Sequence, residues 1–283
     1  MTKKKKIAIG TVIAIVATCV AKICGKAKKT TYVAEAIDKI PSRRMCFYEK
    51  YSKRVLDIIC ALAAIIVFSP VYVIVALLVK VKLGSPVLFT QDRPGLIGKD
   101  GKETIFKMYK FRSMTDEKDK DGNLLPDEVR LTKFGKWLRS TSLDELPEAF
   151  NILNGTMSVI GPRPQLVRDM VFMTKEQRMR HTAKPGLSGL AQVNGRNAIS
   201  WDEKLSADLE YIENVSFVGD CKIIVDTVKQ VFFGEKGIEG ADVDEVDIAD
   251  DFGDYLLKEN RVSLEEYHKK QKEAREILRG VMQ

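Results

Sequence analysis

The sequence has little of the chemistry that marks a metal centre or a disulfide scaffold. It contains two histidines, His181 and His268, which lie far apart along the chain, and five cysteines, none of which forms a Cys-x-x-Cys pair. Structural zinc sites draw on closely spaced Cys and His ligands, and disulfide scaffolds on regularly spaced cysteines. We therefore expect neither a zinc module nor a disulfide framework.

The sequence also lacks a nucleic-acid-binding signature, although its net charge is +7. Its basic residues are not interleaved with aromatic residues in a recognisable module, so we expect no nucleic-acid partner. Residues 1–54 hold fourteen Lys or Arg against three acids, whereas residues 241–254 hold seven acids and no base. This uneven distribution predicts that the front of the chain meets anionic lipid and that the tail does not.

Long apolar runs are scarce, and a mean hydropathy of −0.13 is too low for a polytopic membrane protein. The exception is residues 55–79. A helix of about 25 residues is roughly 37 Å long, enough to cross a hydrocarbon core of roughly 30 Å. Ser69-Pro70 interrupts this run. Because proline removes one helical hydrogen bond, and a serine hydroxyl can bond the freed carbonyl, we predict a kink at Pro70.

Basic residues flank the run on both sides, with Lys53-Arg54 before it and Lys80 and Lys82 after it. Since positive charge is retained on the cytoplasmic side of a membrane, this arrangement favours a re-entrant hairpin. An ordinary kinked transmembrane helix is the alternative, because basic residues also snorkel at either interface.

The N-terminus carries a second, shorter apolar segment, residues 7–20, preceded by Lys3 to Lys6. No small-residue cleavage site follows it, so we interpret it as an uncleaved anchor or an interfacial helix rather than as a signal peptide. Its core of about 14 residues is short for a full span. If it does cross, residues 55–79 have to cross back to keep the remainder cytoplasmic, so the two topologies are coupled.

From Gly84 onward the sequence predicts a mixed, helix-rich α/β domain. Residues 87–90 and 104–109 have the composition of short strands, and the glycine-rich residues 93–98 predict a turn between them. Further loops are expected at the charged residues 116–127 and the turn-rich residues 184–197. Helical periodicity predicts helices at 131–138, 146–153, 165–180, 202–212 and 263–278.

Two adjacent carboxylates, Asp144 and Glu145, follow a hydroxyl-rich turn and are the strongest candidates for chemistry. One interpretation is structural, because Ser142 and Glu145 have the spacing of a capping box and acids belong in a first helical turn. The functional interpretation is that this helix N-terminus attracts a phosphate, and that the two carboxylates bind Mg²⁺ with it. An aspartate can also attack phosphorus as a nucleophile. The residues alone leave both interpretations open.

Basic side chains that could bind a diphosphate occur throughout this domain. Arg163 is the strongest candidate, because the prolines on both sides limit its backbone and reduce the entropy lost when it binds an anion. Arg139 lies close to Asp144 in the sequence. The others are individually better explained as solvated surface residues than as ligands: Arg93, Lys107, Lys110, Arg112, Lys184 and Arg196.

Three further side chains have a structural and a functional interpretation. The rings of Trp201 and Tyr109 could stack on a base, although burial in a core is the commoner fate of such residues. His181 is interpreted as a structural residue rather than as a general base.

Several ordered motifs together resemble the bacterial sugar transferases, the monotopic phosphoglycosyl transferase family. The similarity covers about residues 48–235 and is closest to the minimal members that transfer diacetylbacillosamine phosphate. The motifs are Lys53-Arg54 with the Ser69-Pro70 break, Phe89-Thr90-Gln91-Asp92-Arg93-Pro94-Gly95, Tyr109-Lys110-Phe111-Arg112-Ser113-Met114, Ser142-Leu143-Asp144-Glu145-Leu146, Gly161-Pro162-Arg163-Pro164, and Pro185-Gly186 through Asn194-Gly195-Arg196-Asn197.

The resemblance implies a reaction in which a UDP-sugar donates its sugar 1-phosphate to undecaprenyl phosphate and releases UMP, which initiates glycan assembly on a membrane. It implies that Asp144 is the nucleophile of a phosphosugar-enzyme intermediate, that the two acids form a Mg²⁺ site, and that Glu145 assists through metal or proton handling. Arg139 and Arg163 match positions that contact phosphate. The same motifs add further substrate-binding candidates: Lys110, Arg112, Arg196 and Asn197.

For the membrane segment, the resemblance implies a re-entrant helix marked by Lys53, Arg54, Ser69 and Pro70. The catalytic domain is then expected on the cytoplasmic side of a bacterial inner membrane, in contact with its lipid. We predict four segments: an N-terminal extension (1–47), the re-entrant helix (48–83), the catalytic domain (84–240), and an acidic linker with an amphipathic helix (241–283).

The two terminal segments lie outside the family pattern. The C-terminal one could regulate the enzyme, bind a downstream glycosyltransferase or form a solvated disordered tail, and we expect the tail. Two other functions stay open: a membrane-bound nucleotide-sugar hydrolase, which would use the same acids without a lipid acceptor, and a non-catalytic membrane scaffold. The sequence does not identify the sugar.

Overall fold

The computed structural model describes residues 39–99, 101–195, 199–233 and 251–282. The predicted anchor at 7–20, the candidates Arg196 and Asn197, and most of the acidic linker lie outside these residues. The described chain is a helix-rich α/β protein, as predicted. It divides into two compact units. The first contains Ile58–Gln91 and Met108–Asn154, and the second contains residues 39–57, Asp92–Lys107 and the described part of Gly155–Gln283.

A bent pair of helices lies near the start of the described chain. A π-helical turn, Tyr48–Ser52, leads into α1 (Lys53–Val67), and α2 (Ser69–Leu83) follows after a single residue. The two halves are bent by 64°. Ser69 Oγ donates to the carbonyl oxygen of Ile66 at 2.9 Å, the acceptor that a residue with an N–H at position 70 would have used. The predicted kink at Pro70 is confirmed, together with its serine compensation.

Within the described ranges, no single helix is long and apolar enough to cross a membrane, whereas the bent pair passes the same test of length and composition when its halves are taken together. Many of its apolar side chains are exposed: Val55, Ile59, Leu62, Ile66, Val67, Phe68, Val73, Ile74, Leu77 and Val81. Lys53 begins the pair, and its ammonium group bonds to Asp220, which also accepts from the Tyr48 hydroxyl at 2.8 Å. Arg54 follows it and is half-buried.

Two consecutive strands, β1 (Leu88–Ile97) and β2 (Glu103–Phe111), form a two-stranded sheet. The prediction of a turn at 93–98 is wrong, because β1 continues through Pro94 and Gly95. A two-stranded sheet tolerates proline at an edge. Gly95 lets the strands approach closely, since a Cβ there would lie 3.0 Å from Thr104 Oγ1.

The first unit continues with three helices around an apolar core. The core contains Val75, Val79, Phe111 and Leu138, which join residues of α2, β2 and the second of these helices. Residues 116–126 form the predicted loop. The helices are α3 (Asp127–Arg130), α4 (Lys133–Ser140) and α5 (Glu148–Asn154).

The second unit contains a parallel two-stranded sheet of β3 (Ser158–Ile160) and β4 (Gly186–Ser188), with Ser158 opposite Gly186. The turn-rich residues 184–197 therefore also contain a short strand that the sequence did not predict. The predicted helix 165–180 is wrong, because this segment forms α6 (Val167–Met170) and a 3₁₀ helix (Gln177–Thr182). Thr174 and Gln177 exchange side-chain and backbone hydrogen bonds that start a new turn there.

The remaining helices of the second unit include two in the C-terminal extension. Ser200 and Glu203 form a capping box at the start of the helix Trp201–Glu213. The helices are α7 (Leu190–Val193), α8 (Trp201–Glu213), α9 (Phe217–Phe233), α10 (Phe252–Lys258) and α11 (Leu264–Met282).

The expectation of a disordered tail is wrong for residues 251–282. Ala274, Ile277 and Val281 of α11 are buried against Val167 and Met170 of α6. Their spacing of three and four residues places them on one helix face, which gives this charged helix an apolar side to bury. The C-terminal extension therefore contributes to the core of the second unit.

Candidate active site

The predicted acid pair lies in the first unit, on a short turn between two helices. Helix α4 ends at Ser140, and Ser142 then adopts a left-handed conformation with φ 52°. Leu143–Glu145 form one turn of 3₁₀ helix. A left-handed conformation costs a non-glycine residue about 1–2 kcal/mol, and such positions concentrate at functional sites.

The capping-box interpretation of Ser142 and Glu145 is wrong. The Ser142 side chain makes no capping hydrogen bond. Glu145 accepts from Lys110 Nζ at 2.7 Å instead. The left-handed φ of Ser142 explains the difference, because a capping residue requires an extended backbone.

Apolar neighbours hold this turn in place from both sides. Leu143 and Leu146 pack against the core formed by α2, β2 and α4. The Tyr72 hydroxyl of α2 donates to the carbonyl oxygen of Leu146. Since α2 is half of the bent pair, that pair directly supports the turn bearing Asp144 and Glu145.

The turn brings several carboxylates together, two of them beside Lys110. Asp144 is only 6% exposed. Lys110 Nζ on β2 lies 2.7 Å from Glu145 and 3.6 Å from Glu148, the first residue of α5. The two residues that the sequence nominated, Lys110 and Glu145, thus meet. Sequence reasoning missed Glu148, although its position three residues after Glu145 was a usable signal.

Arg139 lies at the end of α4, and its Nε donates to Ser113 Oγ at 3.0 Å. Gly135, one turn earlier, makes this approach possible: a Cβ there would lie 1.9 Å from the Ser113 carbonyl oxygen. Any side chain at position 135 would push α4 away from Ser113. Gly135 therefore allows the close approach of α4 to Ser113, which positions the Arg139 side chain.

Arg112, another substrate-binding candidate, has a structural role in the first unit. It is buried, and its guanidinium donates to the carbonyl oxygens of Leu83 and Ser85 and to Asp116. Leu83 is the last residue of α2, so Arg112 satisfies an end of that helix. Its contact with substrate stays a prediction.

The remaining cations lie in the second unit. Arg163 is half-buried in the loop after β3. Arg93 Nη1 donates to the Pro164 carbonyl oxygen at 3.0 Å, and Lys107 lies 3.0 Å from Asp92 at the surface. Lys184 is half-buried just before β4.

A buried ionic network that the sequence did not predict surrounds His181. Glu103 accepts two hydrogen bonds of 2.6 Å from Arg178 and lies 3.1 Å from His181 Nδ1. Burial alone raises the pKa of Glu103, but its hydrogen bonds to His181 and Arg178 outweigh this and lower it to about 2. Burial lowers the pKa of His181 to about 4, against the opposing effect of Glu103. His181 is therefore neutral at pH 7, which suits the structural interpretation.

Both candidate stacking rings lie in apolar clusters. The Trp201 ring packs at 5.1 Å from Phe252 in the second unit. Tyr109 contacts the cluster of Ile65, Ala149 and Phe150 in the first unit. Their interpretation as core residues is supported over base stacking.

The acid turn offers carboxylate oxygens, the ligands that Mg²⁺ prefers. The described residues include no group of three or more His, Cys, Asp or Glu arranged to hold a metal ion. Mg²⁺ differs from zinc in commonly binding through one or two carboxylates and completing its shell with water and substrate phosphates. Adjacent Asp144 and Glu145 fit that kind of site.

Comparison with known proteins gives a consistent family. A model described as bacterial sugar transferase matches residues 48–234. An uncharacterized sugar transferase, EpsL, of Bacillus subtilis is 48% identical over 183 residues, which cover 65% of this chain and 88% of the relative.

Two relatives are named for the reaction that they catalyse. A UDP-glucose:undecaprenyl-phosphate glucose-1-phosphate transferase of Klebsiella pneumoniae is 40% identical over 193 residues, 65% of this chain and 40% of the relative. A UDP-N-acetylgalactosamine-undecaprenyl-phosphate N-acetylgalactosaminephosphotransferase of Aeromonas hydrophila is 37% identical over 196 residues, 65% of this chain and 44% of the relative. The matched part of this chain thus spans less than half the length of these two proteins.

Proposed function

The chain belongs to the bacterial sugar transferase family, and on that premise we propose that it is a phosphoglycosyl transferase that moves sugar 1-phosphate from a UDP-sugar to undecaprenyl phosphate. The observation that carries the proposal is the acid turn, where buried Asp144 is followed by Glu145 bonded to Lys110. Relatives named for this reaction with glucose and with N-acetylgalactosamine support it. The diacetylbacillosamine subtype and the identity of the sugar stay open.

We propose a two-step transfer through Asp144. A carboxylate oxygen of Asp144 attacks the phosphorus that bears the sugar, the bond from that phosphorus to the bridging oxygen breaks, and UMP leaves with the electron pair. A phosphate oxygen of the lipid then attacks the same phosphorus and releases Asp144. The covalent route splits one transfer between a soluble donor and a membrane-held acceptor into two displacements.

Basic residues are proposed to supply charge for this chemistry. Lys110 lies between Glu145 and Glu148, and it offsets the repulsion that two nearby carboxylates exert on a diphosphate. Arg139 and Arg163 are proposed to contact phosphate oxygens, for which the guanidinium fork is suited. Asp144 and Glu145 would hold Mg²⁺, which when bound neutralises part of the diphosphate charge.

We further propose that the bent pair α1–α2 is a re-entrant membrane segment and that the catalytic residues lie on the cytoplasmic side of a bacterial inner membrane. Its exposed apolar side chains and 64° bend support this. Because Tyr72 of α2 bonds to the acid turn, and Leu143 and Leu146 pack against the core that contains Val75, such a segment would hold the acids near the depth of a lipid phosphate.

The decisive experiment measures UMP release by the detergent-solubilised full chain with Mg²⁺, over a panel of UDP-sugars, with and without undecaprenyl phosphate. We expect release that depends on the lipid and on one sugar. Lipid-independent multiple turnover would favour the hydrolase, and no release with any donor would favour the scaffold.

The first prediction concerns the nucleophile. Asp144→Asn should abolish lipid-dependent UMP release, because an amide oxygen is a far weaker nucleophile than a carboxylate. Asp127→Asn, at an exposed position on α3, is the matched control and should retain activity. Normal turnover by Asp144→Asn would rule out the covalent route.

A further inference from the structure

The loop that carries Arg163 is held by its backbone at every residue from Pro162 to Pro164. The Pro162 carbonyl oxygen accepts from the Gly186 N–H at 3.0 Å. The Arg163 carbonyl oxygen accepts from Arg180 Nη2 at 2.5 Å, and the Pro164 carbonyl oxygen accepts from Arg93 Nη1 at 3.0 Å. Because φ is fixed at both prolines, few backbone dihedral angles in this loop stay free to rotate.

The base of the loop is equally constrained. Gly161 N–H donates to the Ser188 carbonyl oxygen at 2.9 Å, which continues the pairing of β3 with β4. A Cβ on Gly161 would lie 2.2 Å from the Lys184 carbonyl oxygen, and one on Gly186 would lie 2.1 Å from the Gly161 nitrogen. Only glycine at both places allows the two segments to approach so closely.

Among these donors, Arg180 is a fully buried charged side chain, and burial of a charge is costly unless the charge is paired and hydrogen-bonded. It is 1% exposed, and its Nε and Nη2 bond to Asp208 Oδ2 of α8 at 2.9 and 2.6 Å. A buried ion pair contributes little net stability, because desolvation offsets the attraction. Its planar fork nevertheless places one nitrogen, Nη2, on both the Asp208 carboxylate and the Arg163 backbone.

We propose that Arg180, oriented by Asp208, is a positioning residue that fixes the backbone of Arg163 so that the Arg163 guanidinium meets a phosphate of the donor or acceptor. Arg93 holds the next carbonyl in the same way. This inference rests on the proposed transferase function, in which Arg163 contacts phosphate. Arg180 itself touches neither substrate nor reacting atoms.

The chain offers a matched control two residues away. Arg178 is also 1% exposed and also makes two hydrogen bonds to one buried carboxylate, that of Glu103. Its Nε and Nη2 bonds go to Glu103 and not to the Arg163 loop. Arg178→Lys and Arg180→Lys therefore disturb similar buried pairs, but only the second removes the nitrogen that holds the loop.

The test compares these variants in the full chain by the lipid-dependent UMP release described above. Arg180→Lys should lower kcat/KM about 10- to 100-fold, the effect expected of a small misplacement of a substrate-contacting group. Arg178→Lys should leave it within roughly two-fold. Asp208→Asn, which frees the Arg180 fork, should reproduce the Arg180→Lys loss.

A double-mutant cycle separates positioning from a general loss of folding. In an Arg163→Ala background, adding Arg180→Lys should lower kcat/KM by roughly two-fold or less, because the group being positioned is already gone. An undiminished second loss, or equal losses from Arg178→Lys and Arg180→Lys, would overturn the inference.

Amide hydrogen exchange gives a readout that does not depend on the reaction. The Gly186 N–H, which bonds to Pro162, should exchange faster in Arg180→Lys than in the wild-type chain or in Arg178→Lys. Unchanged exchange would overturn the inference even in an active enzyme. Faster exchange in a chain without transferase activity would overturn only the proposed function and Arg163's role in it.

Discussion

At the scale of single residues, His181 links burial to a dependence on pH. In the folded chain its pKa is lowered from 6.5 to about 4, first by burial and then by the charges of Arg180 and Arg178, against the opposing effect of Glu103. Between these two values the unfolded chain binds the proton and the folded chain does not. The contribution of neutral His181 to stability is therefore complete above pH 6.5 and is lost as the pH falls towards 4.

The ionisation of Asp251 changes the stability with pH in the opposite direction, so its effect has to be distinguished from that of His181. Burial, followed by the nearby Asp169 carboxylate, raises its pKa from 3.8 to about 6. Its ionisation therefore opposes folding as the pH rises through that interval. Only a comparison of variants isolates the histidine.

We predict that the stability difference between the wild-type chain and His181→Gln shrinks as the pH falls from 6.5 to 4. The slope of that difference is at most about 1.4 kcal/mol per pH unit, the value for one proton. Denaturant unfolding at several pH values measures it. His268→Gln, at an exposed position on α11, is the control. A pH-independent difference for His181→Gln would mean that the folded chain binds this proton as readily as the unfolded one.

The candidate site shows which residue roles the sequence could predict. Asp144, Glu145 and Lys110 were nominated, and Lys110 does bond to Glu145. The left-handed backbone of Ser142 could not be predicted, because it is imposed where the end of α4 meets the packing of Leu143. The hydrogen bond from Arg180 to the Arg163 carbonyl oxygen was equally hidden, since it joins residues 17 positions apart in the chain.

At the scale of elements, the sequence predicted well the helices that have a strong local pattern. It predicted poorly the segments whose structure depends on tertiary contacts or strand pairing. The periodicity of residues 202–212 predicted α8 almost in full, and the structure adds a capping box at Ser200. The prediction of one helix over 165–180 failed because a Thr174–Gln177 turn divides it. Strand β1 was shortened in the prediction because Pro94 and Gly95 favour turns unless a partner strand pairs with them.

Helix α11 was predicted, but its attachment was not, because packing against α6 depends on residues about a hundred positions earlier. Ile277 is 4% exposed within that contact. Ile277→Ala should destabilise the second unit by about 2–5 kcal/mol through the lost burial and the cavity left behind.

Leu264→Ala, at a position that is 59% exposed on the same helix, is the matched control for Ile277→Ala. It should change stability by no more than about 0.5 kcal/mol. Thermal unfolding of both variants in detergent measures the difference. Equal midpoints for the two variants would mean that α11 is not part of the cooperative core.

At the scale of the whole molecule, the arrangement of charge and apolar surface is the property that sequence predicts most directly. The bent pair has exposed apolar side chains along its length, and basic residues lie at both ends. Two sets of hydrogen bonds hold the start of α1 in place. Its ammonium group bonds to Asp220, and Asp57, one turn later, accepts from Ser158 Oγ and the Val159 N–H at 2.9 Å.

Replacing Pro70 should shift the membrane topology towards a spanning helix. Pro70→Ala restores an N–H to the helix and relieves a penalty of about 3 kcal/mol, so that α1 and α2 can form one straight helix. A label on Ser52→Cys, in a background without the native cysteines, should become accessible from outside in a fraction of molecules. Because separating Lys53 from Asp220 opposes this change, adding Asp220→Asn should increase the external fraction further.

The control for this prediction is Pro126→Ala, which removes a proline at the start of α3, outside the bent pair. It should leave the labelling of Ser52→Cys unchanged. If Pro70→Ala also leaves it unchanged, the bend is set by the packing of Val75 and Val79 in the apolar core and by the Tyr72 hydrogen bond to the acid turn rather than by the proline. In that case the same contacts that hold Asp144 in place would also determine the topology of the segment.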